Sequence, residues 1–265
     1  MIRIAVLIKQ VPDIDRNVKV TINANSYNIN RQGVPSIMNP HDRNALEEAL
    51  CWKDQVDAEV VCFSMGPPQA AEILKEAISM GADESYLITD RIFSGSDTLA
   101  TSMIISEAIK ITGSYTYVFC GKQALDGDTA QVGPGIAVRL QMPQVLNVQH
   151  ILKRSNEEFI VQRDYRNSIE TLAVPKHCLV SFCKHANTPR LPSLRGMFHC
   201  HTYQPVILTN QDLNISPERI GLEGSPTRVV NTFTPQLDKT IQKLKPENGQ
   251  ALFQIIKSKM NEVMG

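Results

Sequence analysis

Five short apolar runs, separated by stretches of helical periodicity, restrict this chain more than any other feature. They are RIAVLIK (3–9), EVVCFS (59–64), SYLI (85–88), YTYVFC (115–120) and VLNVQH (145–150). Strands that are apolar throughout are buried on both faces, as in parallel sheets covered by helices. The intervening segments carry helix signals. Asn39 stands as N-cap before Pro40, and Ala45, Leu46, Ala49 and Leu50 form a stripe. A second helix holds Ala71, Ile73, Leu74, Ala77 and Ile78 and stops at Gly81. A third begins after Ser96 or Asp97 and ends before Gly113. Strand–helix alternation of this kind predicts a doubly wound, mostly parallel α/β sheet. Pro12 ends the first strand, and 18–22 with 27–30 read as a small hairpin around Asn25-Ser26. Ligands of such sheets sit at the carboxyl ends of the strands. The loops at 7–11, 64–67, 94–101 and 120–133 therefore share one edge, which suits one elongated cofactor.

Tyr115–Leu140 is the most telling of these connections. A buried strand feeds GKQALDGDTAQVG into a helix start. Helix N-termini present N–H groups without intrahelical acceptors, and the helix dipole favours negative charge there. Gly121, Gly127 and Gly133 permit backbone angles or close approaches that a Cβ forbids. Asp126 or Asp128 is placed to cap the helix, with Thr129 and Gln131 as further hydrogen-bonding side chains. A plain capped connection and a phosphate site both fit. Neither G-x-G-x-x-G nor G-x-x-x-x-G-K-[ST] is present.

Composition narrows the function classes. Lys+Arg and Asp+Glu both number 27 in 265 residues, which argues against a nucleic-acid binder. Zero net charge suits a surface partly covered by a partner. The six cysteines form no C-x-x-C, and Cys62 and Cys120 sit in apolar runs, the pattern of a reduced, cytoplasmic protein. MIRIAVLIKQ is broken at Lys9 and reads as a strand, not a signal peptide. No run reaches the roughly 18 apolar residues of a membrane helix.

After residue 150 the character changes. Phe159–Arg163, Ile169–Val174 and Cys178–Phe182 read as antiparallel strands extending the sheet. KHANTPRLPSLRGMFHCHTYQP follows, too punctuated for a regular helix, with Leu191, Leu194 and Met197 three apart. It is a surface crossover or a recognition loop. The last sixty residues end in an amphipathic helix near 250–263 and suit an arm on another subunit. His199-Cys200-His201, on a strand, lacks a matching ligand pair, so no metal site is assigned. SGSDT (94–98) is similar to an ATP-pyrophosphatase loop but follows the wrong strand. Trp52 is read as core. No nucleophile–base spacing marks a catalytic residue, which favours a cofactor carrier over a hydrolase.

GKQALDGDTAQVG (121–133), MNP (38–40), FSMGP (63–67), PRLPSLRG (189–196) and GLEGSPTRVV (221–230) together resemble the beta (small) subunit of electron transfer flavoproteins, over nearly the whole chain. DGDTAQVG and FSGSDTLATS (93–102) resemble the NADH-oxidising, electron-bifurcating branch. The resemblance implies an adenine-nucleotide-binding fold. Residues 1–185 would form the FAD-binding domain, 186–204 a partner-recognition loop and 205–265 a C-terminal arm on the alpha subunit. Leu7, Lys9 and Asn39 would border the adenosine. Met65 and Gly66 would approach the nucleotide by backbone. Thr98, Leu99, Ala100 and Thr101 would offer a helix N-terminus to the pyrophosphate. Gly121, Lys122, Gln123, Asp126, Gly127, Asp128, Thr129, Ala130, Gln131, Val132 and Gly133 would wrap the AMP half. Arg190, Leu191, Leu194 and Met197 would meet an acyl-CoA dehydrogenase-type flavoenzyme, with Leu194 as the anchor.

The chain departs from that pattern at four places. Thr188 stands where Glu is usual, His177 where Pro is usual, Gly135 where Glu is common, and DYRNS (164–168) replaces an acidic-glycine run. The reading that follows is a subunit of an NADH-dependent acyl-CoA reductase/dehydrogenase complex. Its FAD takes hydride from NADH. One electron goes to ferredoxin or flavodoxin, the other through the alpha-subunit FAD to the dehydrogenase. The alternatives are a conventional beta subunit with structural AMP, and a stand-alone nucleotide-binding hydrolase or sensor.

Overall fold

The computed structural model describes residues 1–13, 21–22, 29–30, 35–230 and 248–264. The strands are β1 (Ile2–Leu7), β2 (Gln10–Pro12), β3 (Thr21–Ile22), β4 (Ile29–Asn30), β5 (Ser36–Met38), β6 (Ala58–Met65), β7 (Glu84–Ile88), β8 (Tyr117–Gly121), β9 (Gln144–Arg154), β10 (Phe159–Tyr165), β11 (Ser168–Ala173), β12 (Cys178–Phe182) and β13 (Val206–Leu208). The helices are α1 (Pro40–Gln55), α2 (Ala71–Met80), α3 (Thr98–Ile111), α4 (Val132–Arg139), α5 (Leu194–Thr202), α6 (Asn210–Leu213) and α7 (Gly249–Met264). Two compact units result, Met1–Val230 and Asn231–Gly265. In the second, Asn248 caps α7 by accepting the Ala251 N–H at 2.9 Å. No helix among the described residues is long and apolar enough to cross a membrane.

One nine-stranded sheet, ordered β11-β10-β9-β12-β8-β1-β6-β7-β13, carries the first unit. The strands from β9 through β13 in that order pair in parallel, and β10 and β11 add an antiparallel hairpin. Side chains alternate across a strand, so Ile4 and Val6 join one layer with Leu46, Trp52 and Leu74. Ala5 and Leu7 join the other with Ile104 and Ile136. Helices α1 and α2 cover the first face, α3 and α4 the second. The chain winds from β1 outward through β6 to β7, then crosses back to β8 on the other side of β1. The topological switch point lies between β1 and β8.

The doubly wound sheet with its antiparallel extension is as the sequence predicts. Cys178–Phe182 is placed differently: β12 lies between β8 and β9, parallel to both and buried throughout. A five-residue apolar run suits either setting, and only long-range pairing decides. Phe159, at the start of β10, ties the hairpin to the centre, packing edge-on against Trp52 at 5.3 Å and Tyr117 at 5.8 Å. The predicted hairpin is present in part, as Thr21–Ile22 against Ile29–Asn30; residues 18–20, 27–28 and Asn25-Ser26 lie outside the described residues. The strand expected to run to Lys9 ends at Leu7, and β2 then pairs with β5. Residues 205–230 pack with the first compact unit. β13 is an edge strand beside β7, and Leu213, Ile215 and Ile220 are core residues of the first unit.

Two of the departures from the family pattern have local explanations. His177 has φ 57°, a conformation closed to proline, and its Nδ1 lies 3.3 Å from the Tyr115 carbonyl oxygen. Gly135 lets α4 approach α3, since a Cβ there would stand 2.9 Å from the Ser102 Cβ. Gly135→Ala should therefore cost about 1–3 kcal/mol by overpacking. A urea unfolding midpoint equal to that of the parent would contradict this helix contact.

Candidate functional site

Asn39 takes the N-cap position of α1 but makes no side-chain cap. Its amide turns outward to the 121–131 loop. Nδ2 donates to the Gln123 carbonyl at 2.8 Å and Oδ1 accepts from Leu125 N at 3.3 Å. Three residues on, Asp42 reaches both strands at the switch point. One carboxylate oxygen accepts the Lys9 N–H at 2.8 Å, the other the Gly121 N–H at 3.0 Å. Burial pushes the Asp42 carboxyl up to about 7, against the N–H donors and the Asn39 amide, which favour its charged form. Sequence reading missed Asp42, because an acidic residue in a helix's first turn is ordinary. Gly121 is required beside it, since a Cβ would lie 2.3 Å from the Asp42 Oδ1.

The loop's aspartates do not cap α4. Asp126 receives Lys9 Nζ at 2.6 Å, and Asp128 accepts from the Gln123 side-chain amide. The N-cap of α4 is Gln131, with no side-chain bond to the helix N–H groups. Nor do the loop glycines supply its left-handed turns. Gly121, Gly127 and Gly133 have no positive φ; Asp128 (52°) and Ala130 (54°) do. Ala130 is followed by Gln131 in right-handed helical geometry. Alternating handedness turns successive N–H groups toward one side, a concavity suited to an anion. Residues 127–131 are exposed, and of their N–H groups that of Asp128 is taken by the Ala124 carbonyl at 2.9 Å. The donor set fits a phosphate at the start of α4.

The start of α3 is arranged otherwise. Asp97 accepts Leu99 N at 2.9 Å and Ala100 N at 3.0 Å, so two donors expected to face a pyrophosphate are already taken. Its other oxygen accepts Thr227 N at 3.1 Å and Thr227 Oγ1 at 2.8 Å. Burial alone would raise the Asp97 carboxyl; the bonds from Ala100, Thr227 and Leu99 hold it below the usual range. Thr98 Oγ1 donates to Gln131 Oε1 at 2.8 Å and joins this loop to the α4 start. Leu99 and Thr101 stay partly exposed, whereas Ala100 is buried.

The remaining expected residues divide. Leu7 is a core residue, and Met65 is half-buried against the same layer. Gly66 gives its N–H to the Ile88 carbonyl at 3.1 Å, and Lys122 gives its own to Phe182 at 2.8 Å, so neither donor is open. Thr129 is exposed, Val132 packs into the core, and Gly133 sits 3.0 Å, as a Cβ, from Cys120 Sγ.

The 186–204 segment contains a helix, α5, capped by the Ser193 hydroxyl, which accepts Gly196 N at 3.0 Å. Its prolines, Pro189 and Pro192, precede the cap, which is why punctuation concealed it. The inward stripe is Gly196, Cys200 and Tyr203: a Cβ on Gly196 would strike the Ser79 carbonyl, and Tyr203 Oη accepts Ser85 N at 2.8 Å. Leu191, Leu194, Met197 and Phe198 are exposed. Arg190 is not presented with them. Its guanidinium binds both oxygens of Glu47 at 2.9–3.1 Å and Asp54 at 2.7 Å, and these bonds hold its proton more tightly than usual. His199 and His201 lie on a helix, two residues apart, and so point to different sides rather than to one face. No metal-holding cluster occurs among the described residues.

A doubly wound sheet with an outward-facing helix start beside its switch point defines the class: an α/β protein of the nucleotide-binding kind. The profile of the electron transfer flavoprotein domain matches residues 27–198. An electron transfer flavoprotein subunit beta from Thermoanaerobacterium thermosaccharolyticum is 46% identical over 237 residues, 89% of each chain. The caffeyl-CoA reductase-Etf complex subunit CarD of Acetobacterium woodii is 44% identical over 88% of each. The acryloyl-CoA reductase electron transfer subunit gamma of Anaerotignum propionicum is 42% identical over 88% of each. The chain belongs to the beta-subunit branch of the electron transfer flavoprotein family.

The Asp42 carboxyl binds a proton more tightly in the fold than at its ordinary 3.8, so the folded state carries the extra proton between 3.8 and about 7. The stability it contributes is full below that window and is lost as pH rises through it. Relative to Asp42→Asn, the parent should lose up to about 1.4 kcal/mol per pH unit there. Denaturant titrations at pH 5, 6 and 7 that run parallel for both proteins would refute this titration.

Proposed function

We propose that the chain is the beta subunit of an electron-bifurcating electron transfer flavoprotein, holding FAD at the carboxyl edge of its sheet beside a larger alpha subunit. The observation carrying the site is the uncapped start of α4, with the 121–131 loop held over it by Asn39 and Asp42. Backbone donors from Ala130 through Gly133 meet the phosphates. Asp97 already fills the start of α3, so that loop acts through Thr98 and its tie to Gln131. Lys9 is held by Asp126, so its charge is partly neutralised and it orders the loop beside the adenosine. FAD, when bound, supplies acceptance of hydride from NADH and passage of single electrons. The chain's residues bind it, orient it and limit water around it.

The choice of branch is supported by kinship with subunits whose names place them in caffeyl-CoA and acryloyl-CoA reductase systems. It extends to this chain the ferredoxin or flavodoxin acceptor, an acyl-CoA dehydrogenase-type partner docked on α5, and contacts of the C-terminal segment, 205–265, with the alpha subunit. A conventional subunit with structural AMP would use the same α4 start, which is why cofactor content decides. Two FAD per purified heterodimer, with absorbance bleached by NADH, is the expected result; one FAD and one AMP sinks the bifurcating reading. Asp128→Ala combined with Thr129→Val should lower the nucleotide retained after gel filtration at least severalfold. Undiminished retention would remove this loop from the site.

A further inference from the structure

Where β8 and β12 end side by side, the fold gathers basic groups. The two strands run in parallel with Gly121 opposite Phe182, so Lys122 and Lys184 leave the sheet from adjacent strand ends, about 4.8 Å apart. The backbone fixes Lys122 there, its N–H donating to the Phe182 carbonyl at 2.8 Å. The first turn of α1 closes the group from the side, since a Cβ on Gly121 would stand 2.6 Å from the His41 Cβ. His41 is thus held against the same strand ends as the two lysines. Its Nδ1 is buried and has no hydrogen-bond partner among the described residues. Burial first, then the charges of Lys122 and Lys184, hold the ring's proton more loosely than usual, while the Phe182 carbonyl and Asp128 act the other way.

The acidic groups around this cluster are committed elsewhere. The two Asp42 oxygens accept the N–H groups of Lys9 and Gly121. Asp128 accepts from the Gln123 side-chain amide. Asp164, which acts on Cys183 beside Lys122, accepts from the Gln149 side-chain amide. Neither Lys122 nor Lys184 makes an ion pair among the described residues. Like charges held together repel one another, and an anion among them removes that cost. The cluster is also separate from the start of α4. Val132 packs into the layer of α3 and α4, whereas α1 covers the opposite face of the sheet. At α4 the donors are backbone N–H groups; at this place they are side-chain cations.

We propose that Lys122 and Lys184, with the His41 ring as inner wall, bind a tetrahedral oxyanion of the phosphate class. Its charge offsets the two ammonium groups and favours the protonated imidazole, for whose Nδ1 no described protein group competes. The oxyanion is either free in solution or a phosphoryl group of a nucleotide seated at this edge. The chemistry of the two is the same, and the test separates them. The inference does not depend on which cofactor the subunit holds. Binding and protonation are linked, so the oxyanion is held more tightly as pH falls through the His41 range.

The test follows the His41 ring by carbon-13 NMR in the purified heterodimer, with its nucleotide retained and His41→Gln supplying the assignment. Sulfate is the probe, because its charge is constant across the range in which histidine titrates, and chloride at equal ionic strength is the control. In chloride the ring should titrate below 6.5, and saturating sulfate should tighten its hold on the proton about tenfold. Lys122→Gln and Lys184→Gln should each weaken sulfate binding about threefold or more, and each should raise the ring's proton affinity in chloride. A ring that titrates above its ordinary value in chloride and ignores sulfate already faces the nucleotide's own phosphoryl group. The phosphorus-31 signal of that group should then move with the His41 titration, and a signal that stays still overturns the proposal. A ring that titrates below its ordinary value in both salts, with no response to sulfate, overturns it as well. So does a sulfate response that survives both lysine substitutions, which marks an adventitious ion only.

Discussion

Asp42 holds two parallel strands together where the fold would let them part. At a switch point the crossovers before and after leave in opposite directions, and no helix closes the gap between the strand ends. Here a buried carboxylate does so, taking one N–H from the end of β1 and one from the end of β8. The pair of bonds fixes where Lys9 turns toward β2 and where Gly121 opens into the 121–131 loop. Burying a charge is costly unless it is well hydrogen-bonded, and the raised proton affinity of Asp42 records that cost. The same helix then carries Asn44, Glu47 and Asp54, which grip residues 187–190. Between Asp42 and Asp54 lies about 18 Å of helix at 1.5 Å per residue. One rigid element thus sets the position of both the carboxyl edge of the sheet and the exposed apolar helix.

The electrostatics of the edge follow from that construction. Lys9 is paired with Asp126, whereas Lys122 and Lys184 make no ion pair among the described residues and act together on His41, so an anion there would meet side-chain cations as well as backbone dipoles. Backbone donors need no side-chain ordering and hold their geometry, which favours orientation over long-range attraction. At α5, by contrast, Arg190 is paired with Glu47 and Asp54, and Arg195 is exposed with no ion pair among the described residues.

How much of this was legible in the sequence depended on range. Period-two and period-3.6 patterns gave the strands, the helices and the doubly wound sheet, because each signal sits within one segment. Cys178–Phe182 was misplaced because strand neighbours are chosen by pairing, not by local pattern. The α5 helix was hidden by prolines that fall just before its cap. The aspartates at 126 and 128 look like caps in one dimension; in three, Lys9 and Gln123 claim them. Arg190 reads as a free cation until Glu47, 143 residues earlier, is brought beside it. The misreadings of single side chains are cases of a distant partner outbidding a near one.

The α3 start shows what such long-range bonds imply. Asp97 is placed by the local chain to cap α3, and any Asp there would do so. Its second oxygen, however, is held by Thr227, 130 residues later, and its own N–H by Ser225. Ser225 Oγ in turn donates to the Gly221 carbonyl at 2.6 Å, while Gly221 N donates to Ser96 Oγ at 3.0 Å. Gly221 has φ 63°, and a Cβ there would stand 2.2 Å from the Ile92 carbonyl oxygen, so the segment meets the loop at backbone distance. The conformation of 94–98 is therefore a joint property of two segments far apart in sequence. A substitution at 221–227 acts on the start of α3 as directly as one at 97. That ties GLEGSPT to the start of α3, and it explains why the compact unit extends to Val230.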